Sequence, residues 1–392
     1  MKNSVRKTIE SFDLYSIRRT PAYVVFEDVL QENMKTMQYV IDNSGCKILL
    51  ALKCFSMVRA FPLLSKTLHG VCASGAHEAR LGREHFEGLV STYSPAFSSE
   101  DIEESAKNSD HLVFNSFNQY RRFRDVAKKN NPEIRFAIRV NPEITEEKAC
   151  DMYNPCREGS RLGVVIDEFE PDQLDGIEGL HFHALCRMGT DVLEKVIHSF
   201  EQKFGDYIDR MKWVNFGGGH WITQDNYDVE ALISLINDFR ERHPGVEVYL
   251  EPGEAHVFNA GIVASSVLDI ARNGDTQNII VDASATCHMP DIIEMSYVPD
   301  ILHAGKVGEK KHEYQIGSAT CLSGDMMGRH SFDRELEVGD RIAFLNMALY
   351  TMVKTTTFNG TRLPDIYFVT SEGKVEQIKE SGYHDFINRL SD

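Results

Sequence analysis

Between residues 45 and 254 one pattern of apolar and polar positions keeps returning. A short apolar run, often β-branched, is followed by a longer polar segment with apolar residues at helical spacing. The runs lie at 47–53, 70–74, 89–93, 111–115, 135–140, 177–183, 212–217 and 247–251. Continuous apolar strands bounded by breakers are those buried on both faces, as in a parallel sheet covered by helices. Eight of them alternating with helices over roughly 210 residues predict a (β/α)8 barrel. The segment 141–175 fits least well, because Pro142, Pro155, Gly159 and Pro171 predict loop rather than helix.

Outside that stretch the pattern changes. Residues 1–20 are polar and predict a helix and lead-in; Thr20-Pro21 then punctuates, and 22–26 reads as a strand. Val29, Leu30, Met34, Met37, Val40 and Ile41 predict a helix over 28–43 with Asp28 as N-cap, and 57–68 is also helical in pattern. After Pro252-Gly253 helical periodicity mostly disappears. Strand-like runs at 262–270, 278–281, 314–316 and 341–344 are separated by turn signals such as Asn273-Gly274 and Val338-Gly339-Asp340. The expectation is an α/β chain: a TIM-like (β/α)8 barrel over 28–256, and a second β-rich, β-barrel-like domain from 1–27 and 257–392. The strand at Tyr23 has no place among the eight and is expected to pair with that second domain.

Composition narrows the function. The net charge of −17 argues against a nucleic-acid partner and suits a cationic ligand, which an acidic surface steers inward. The eight cysteines include no CxxC pair, and several lie in strand-like runs, so a reduced, cytoplasmic protein is expected. The first twenty residues carry charges throughout without an apolar core, and no run approaches the ~18 apolar residues of a membrane span.

Residues at the C-terminal ends of barrel strands carry the chemistry in this architecture. Lys53 ends the first strand and Ser74 the second. Arg139 and Asn141 end the fifth, His183 the sixth, Gly217-Gly218-Gly219 the seventh and Glu251 the eighth. A lysine on a rigid strand end is held where a partly desolvated amine can react, although the same position lets a lysine snorkel into water. Three glycines let backbone N–H groups approach an anion, and loops after the seventh and eighth strands commonly hold phosphate. Glu251-Pro252-Gly253 puts a carboxylate at a stiffened strand end. His181 and His183 share one strand face and could form a metal pair, but no acidic or cysteine ligand cluster accompanies them. An amine, a phosphate cradle, a flat ring and a carboxylate describe a pyridoxal phosphate site, in which Lys53 bonds the cofactor and the acid keeps the pyridine nitrogen protonated.

Several separated motifs in one order carry a specific resemblance. Ala51-Leu52-Lys53-Cys54, Cys72-Ala73-Ser74 with Glu78, His181-Phe182-His183, Gly217-Gly218-Gly219 and Glu251-Pro252-Gly253 lie in the barrel. Gly317-Ser318-Ala319-Thr320-Cys321 with Gly324-Asp325, then Tyr350 and Phe358-Asn359-Gly360, lie beyond it. Over nearly its whole length the chain resembles the alanine-racemase-fold pyridoxal phosphate decarboxylases, the superfamily of the ornithine, diaminopimelate and arginine enzymes. The resemblance implies catalytic roles for Lys53 and Cys321, with the cysteine assisting protonation of the product carbanion. It implies cofactor contacts from Lys53, Ser74, Arg139, His183, Gly217, Gly218, Gly219, Glu251, Gly253 and Tyr350, with His183 stacking on the pyridine ring. It also implies a homodimer whose active sites are shared, because the Cys321 segment enters the partner's site.

Two departures point to one branch. Glu254 stands where many relatives carry an arginine for the phosphate, and Leu322 stands where ornithine decarboxylases have an acid after the inserted cysteine. Residues 281–291, VDASATCHMPD, resemble the carboxynorspermidine branch. Glu254, Asp282, Asp291 and Asp325 are then candidates for holding a carboxypolyamine's cationic nitrogens, since an ammonium leaving water needs a counter-charge. The resemblance implies decarboxylation of carboxynorspermidine, and of carboxyspermidine, in polyamine biosynthesis. Decarboxylation of another basic amino acid, or a non-catalytic regulatory role, remain the rival readings.

Overall fold

A computed structural model describes residues 3–144 and 151–391. The strands are β1 (Ala22–Phe26), β2 (Lys47–Ala51), β3 (Gly70–Ala73), β4 (Leu89–Tyr93), β5 (His111–Phe114), β6 (Arg135–Arg139), β7 (Ile177–His181), β8 (Trp213–Asn215), β9 (Glu247–Leu250), β10 (Gly261–Asn273), β11 (Thr276–Val281), β12 (His312–Ser318), β13 (Met326–Phe332), β14 (Arg341–Phe344), β15 (Asp365–Val369) and β16 (Val375–Lys379). The chain divides into two compact units. One holds Asn33–Lys53 and Ala60–His256; the other holds the residues up to Glu32, Cys54–Arg59 and everything from Val257 on. Residues 28–32 and 54–59, which the sequence pattern places in the barrel, group with the second unit. Their bonds explain it: Tyr350 N–H donates to Cys54 O at 3.0 Å, and Arg59 pairs with Glu376 at 2.9 Å.

In the first unit β2 to β9 form a closed parallel barrel, as the repeating pattern predicts. Closure is made by β2 on β9, Lys47 opposite Tyr249 and Ile48 opposite Leu250. Side chains alternate in and out along each strand, so every second residue fills the interior. Leu49, Val113, Ala137, Trp213 and Tyr249 make that filling, with Cys72, Leu89 and Tyr93 against it. Lower in the barrel the His111 ring stacks on Trp213 at 4.5 Å. One pleat further along the same faces come Arg139, His181, Asn215 and Glu251, so strand period alone aims these polar groups at the C-terminal mouth.

Helices Ala76–His85, Ser99–Asn108, Phe117–Asn130, Thr190–Ile208 and Val229–Arg242 cover the barrel. Their starts are chemically marked: Ser98, Ser116 and Asp228 each accept a backbone N–H two or three residues into the helix. Helix Thr190–Ile208 buries Val192, Leu193, Val196, Ile197, Phe200, Phe204 and Ile208, one stripe at 3.6-residue spacing. Two helical expectations shrink. The 57–68 segment is a 3-10 turn followed by the four-residue helix Phe61–Leu64, where Pro62 sits in the first turn. The helix expected over 28–43 spans Glu27–Ser44, with Asp28 inside its first turn rather than capping it. Between β6 and β7 the described residues hold only short 3-10 turns, as the prolines predict.

The second unit is a mixed sheet in the order β13-β12-β11-β10-β1-β15-β16, with β14 also on β10. The long β10 pairs β1 and β14 with its first half and β11 with its second. Strand β1 lies between β10 and β15, antiparallel to one and parallel to the other. Tyr23, Val263, Ile279, Val281, Tyr314, Ile316, Ile342 and Phe344 are among its core residues. Cys150, expected among the reduced core cysteines, lies outside the described residues; the seven described cysteines are unpaired. No described helix is long and apolar enough to cross a membrane.

Burial pushes His111, His220, His256 and His288 down to about 4. A histidine whose folded pKa is depressed leaves stability intact above its unfolded value, near 6.5, and removes it as pH falls toward the folded value. The chain is therefore expected to weaken between about pH 6.5 and 4, ahead of most carboxylate titration. Urea midpoints measured at pH 7.5 and 5.0 check this: His256→Gln should reduce the difference, and equal midpoints at both values contradict it.

Candidate active site

Lys53 follows the end of β2 with its side chain exposed to solvent. Its ammonium acts on Cys72, Glu78, His181, His183 and Glu251, whose ionisation it biases. Those groups come from the ends of β3, β7 and β9 and the first turn of the helix after β3, so the strand ends do converge.

Glu251 is the most constrained of them. Its residue is 8% exposed. Asn215 Nδ2 donates to Oε1 at 2.6 Å, and Oε2 lies 3.7 Å from His181 Nε2. Burial raises the carboxyl's pKa, against the pull of the Asn215 amide and the Lys53 and Arg139 charges. His181 is itself driven far below its ordinary range by burial and by the same two cations, so it is neutral and makes no ion pair with Glu251. Neither of its ring nitrogens has a hydrogen-bond partner. Asn215 has the signal of a site residue, a polar side chain one pleat beyond Trp213 in an otherwise apolar strand, but sequence reasoning left it without a role.

The three glycines are needed for close approach. A Cβ on Gly219, at φ +89°, would lie 2.1 Å from Leu185 O, and one on Gly218 would lie 2.3 Å from Glu251 O. The loop is stitched on both flanks: Glu251 N–H donates to Gly217 O at 2.7 Å, and Met188 N–H to Gly219 O at 3.1 Å. Gly217 N–H donates to Asn215 Oδ1 at 2.8 Å and Gly218 N–H to His183 Nδ1 at 2.9 Å. Two of the three N–H groups expected to face an anion are thus spent inside the protein. In return His183 is held in a fixed orientation, and burial together with Lys53 keeps it neutral. Arg139 Nη2 donates to His183 O at 3.2 Å, with its guanidinium 4.6 Å over the Tyr93 ring. Ser74 N–H donates to Glu78 Oε2 at 2.6 Å, and both line a cavity of about 300 Å³ with Ser94, Phe97 and Asp101. Gly253 precedes the short helix Glu254–Val257.

The four carboxylates expected to meet a cationic ligand all have partners within the chain. Glu254 accepts from Arg187 Nε at 2.9 Å on both oxygens and from Trp221 Nε1 at 3.2 Å. Asp282 accepts from the Thr20 and Ser265 hydroxyls and the Ser266 N–H, at 2.5, 2.7 and 2.9 Å. Asp291 pairs with Lys354 at 2.7 Å. Asp325 is buried and takes hydroxyls of Ser284, Ser318 and Thr320 and the N–H of Thr286. Burial would raise its pKa; those donors outweigh it and the net direction is down. The first of these acids lies in the barrel unit and the other three in the sheet unit, so they form no single cluster within a unit.

Also in the sheet unit, the Cys321 segment lies beside the residues at 358–360. Cys321 is exposed and its N–H donates to Asn359 Oδ1 at 2.9 Å. Leu322 and Phe358 are exposed apolar neighbours of that contact. Tyr350 adopts φ +48°, held by its N–H bond to Cys54 O. Among the described residues no three His, Cys, Asp or Glu groups converge on a possible metal position.

Residues 23–348 match the family described as pyridoxal-dependent decarboxylase, C-terminal sheet domain. The chain belongs to the pyridoxal-dependent decarboxylases. It is 42% identical to the carboxynorspermidine/carboxyspermidine decarboxylase of Campylobacter jejuni subsp. jejuni, over 96% of this chain and 99% of that one. A carboxyaminopropylagmatine decarboxylase of Synechocystis is 37% identical over 95% of each chain. The crystal structure of the Campylobacter jejuni carboxynorspermidine decarboxylase complexed with norspermidine superposes with a TM-score of 0.87 at 40% identity, covering 95% of this chain and all of that one.

The donor set fits the family's cofactor. Lys53 offers an amine, His183 a fixed neutral ring, Glu251 a buried acid with one oxygen held by Asn215, and 217–219 a loop without side chains that admits close neighbours. The unsatisfied nitrogens of His181 mark the same region as polar and incomplete by itself.

Because burial raises the Glu251 pKa, its ionised form penalises the cofactor-free fold as pH rises from about 4.3, the unfolded value, through the raised one. Glu251→Gln keeps an acceptor for Asn215 and places an amide near His181. Cofactor-free Glu251→Gln is expected to melt roughly 1–3 °C above the cofactor-free parent at pH 8 and level with it at pH 4. A lower melting temperature at pH 8 would show that the acid is not strained by burial.

Proposed function

We propose that this chain decarboxylates carboxynorspermidine, and carboxyspermidine as a second substrate, to norspermidine and spermidine in polyamine biosynthesis. Full-length similarity to the Campylobacter jejuni decarboxylase, whose crystal structure holds norspermidine, carries the reading. The retained Lys53, His183, Glu251 and Cys321 favour a working enzyme over a regulatory relative.

In this reading Lys53 would hold the cofactor through its side-chain amine. When bound, pyridoxal phosphate supplies an electron sink for the pair left by departing carbon dioxide. Glu251 would accept from the pyridine nitrogen and keep that nitrogen protonated, as a buried acid at the strand end can. His183, locked by Gly218 N–H, presents its ring face for stacking. Ser74, Arg139, Gly217, Gly218, Gly219, Gly253 and Tyr350 complete the cofactor's contacts. Cys321, contributed by the partner subunit, delivers the proton to the α-carbon from Sγ. An exposed thiol flanked by exposed Leu322 and Phe358 supports a segment that is covered by a second copy, and hence a homodimer with shared sites. Seven unpaired cysteines support a cytoplasmic setting. Of the carboxylates proposed for the substrate's distal nitrogens, Asp291 keeps a cation in Lys354 and Glu254 one in Arg187, so a polyamine would exchange for those partners rather than meet bare acids.

Purified Lys53→Ala should lose both the visible absorbance of bound cofactor and turnover, and Glu251→Gln should lose roughly 10²-fold in kcat. Carbon dioxide release is then compared across carboxynorspermidine, carboxyspermidine, carboxyaminopropylagmatine, diaminopimelate, arginine and ornithine. The two carboxypolyamines named first should lead in kcat/KM; faster turnover of any of the other four overturns the substrate assignment.

A further inference from the structure

A phosphate monoester carries close to two negative charges at neutral pH, and the glycine loop meets it with little. Gly217 and Gly218 donate their N–H groups to Asn215 and His183. The imidazoles around the loop bring no charge, because burial holds His183 well below its ordinary range and His220 and His256 at about 4. Across 182–189, 216–223 and 251–257, the segments that follow β7, β8 and β9, one residue is a lysine or arginine, and it is Arg187.

Its placement is specific. Arg187 adopts φ +54°, an uncommon conformation for a residue with a side chain. The next residue, Met188, donates to Gly219 O, and it forms a bridge with His220. The guanidinium is gripped through Nε by both oxygens of Glu254 at 2.9 Å and lies 6.0 Å from the centre of the Trp221 ring. The far end of the glycine loop is tied to Glu251, three residues before Glu254. The Arg187–Glu254 pair therefore closes a ring around the loop: Arg187, Met188, Gly219, Gly217, Glu251, Glu254 and back.

We infer that Arg187 is the counter-charge for the cofactor's phosphate, with Glu254 fixing the guanidinium at the edge of the glycine loop. This rests on the pyridoxal phosphate reading and extends it to a residue that carries no family motif. Glu254 then serves the phosphate end of the site through Arg187. An anion is the expected ligand of such a clasp, since a permanent, planar cation fixed beside a loop that brings no charge of its own is pre-organised for phosphate.

The test separates phosphate recognition from cofactor binding at large. Apoprotein of the parent, Arg187→Met, Arg187→Gln and Arg187→Lys is titrated with pyridoxal phosphate and with unphosphorylated pyridoxal, followed by visible absorbance. The 31P resonance of the bound cofactor is recorded alongside. Arg187→Met and Arg187→Gln should weaken pyridoxal phosphate about 10-fold or more while leaving pyridoxal within about 2-fold, and should move the 31P shift. Arg187→Lys, which keeps the charge, should lose less than half of that discrimination on a logarithmic scale. Equal weakening of both aldehydes, or unchanged discrimination in both neutral variants, overturns the assignment while the cofactor reading stands. A parent chain that binds neither aldehyde overturns both. If the neutral variants fail to fold, Arg187→Lys decides alone: a moved 31P shift with pyridoxal phosphate weakened more than pyridoxal supports the inference, and a shift and discrimination identical to the parent's overturn it.

Discussion

The arrangement turns on a carboxylic acid that the barrel forces out of water. Glu251 follows the last residue of β9, where the closed sheet keeps it largely from solvent, and its cost is met from within by the Asn215 amide and the Cys72 thiol. The histidine that approaches its other oxygen is itself kept neutral by burial. A buried acid met by one amide and one thiol, with no cation in direct contact among the described residues, is poised for a cationic partner. The protonated ring nitrogen of the family's cofactor is such a partner, and it would turn a destabilised acid into one half of a desolvated pair. The same pressure propagates outward. Glu251 N–H fixes Gly217, Gly217 N–H fixes on Asn215, and Gly218 N–H fixes His183, so the acid, the glycine loop and the His183 ring are positioned by one continuous set of bonds.

Most of the barrel was legible because buried parallel strands leave an unmistakable trace, apolar runs with breakers on both sides. The polar residues at the ends of those strands followed from the same reading, since Lys53, His183 and Glu251 could be placed by counting strands. What escaped was whatever depends on partners distant in sequence. Asp282 looks like an available acid until Thr20, 262 residues earlier, is seen to donate to it. Asp325 sits in a Gly-Asp turn signal and is in fact enclosed by three hydroxyls. Glu254 was read as a cation lost from the cofactor's rim. The structure shows that a cation stands beside it, brought in by Arg187 from the loop after β7. In the sheet unit β13 and β16 were missed because polar and charged residues interrupt their apolar pattern, while β15 was passed over although Asp365–Val369 is largely apolar.

The substrate reading changes accordingly. A chain with four bare acids would be an electrostatic trap for any polyamine. Two of the four proposed acids are instead saturated by neutral donors, which stabilise charge without offering an exchangeable cation. The other two carry cations, Glu254 the guanidinium of Arg187 and Asp291 the ammonium of Lys354, so in the proposed reading a polyamine nitrogen arriving at Asp291 would compete with a tethered cation. Selectivity of that kind comes from a difference between two ion pairs rather than from the presence of negative charge.

Strand β1 lies at the heart of the sheet yet near the start of the chain, and both of its neighbours, β10 and β15, come more than two hundred residues later. The entire (β/α)8 unit is in effect an insertion between the first strand of the sheet and the second. During synthesis all eight barrel strands have been made by residue 250, whereas β1 must wait for partners made later still. A solution to that wait is built into the order of the chain: the barrel can assemble in its own time, and its completion shortens the loop that the sheet must then close.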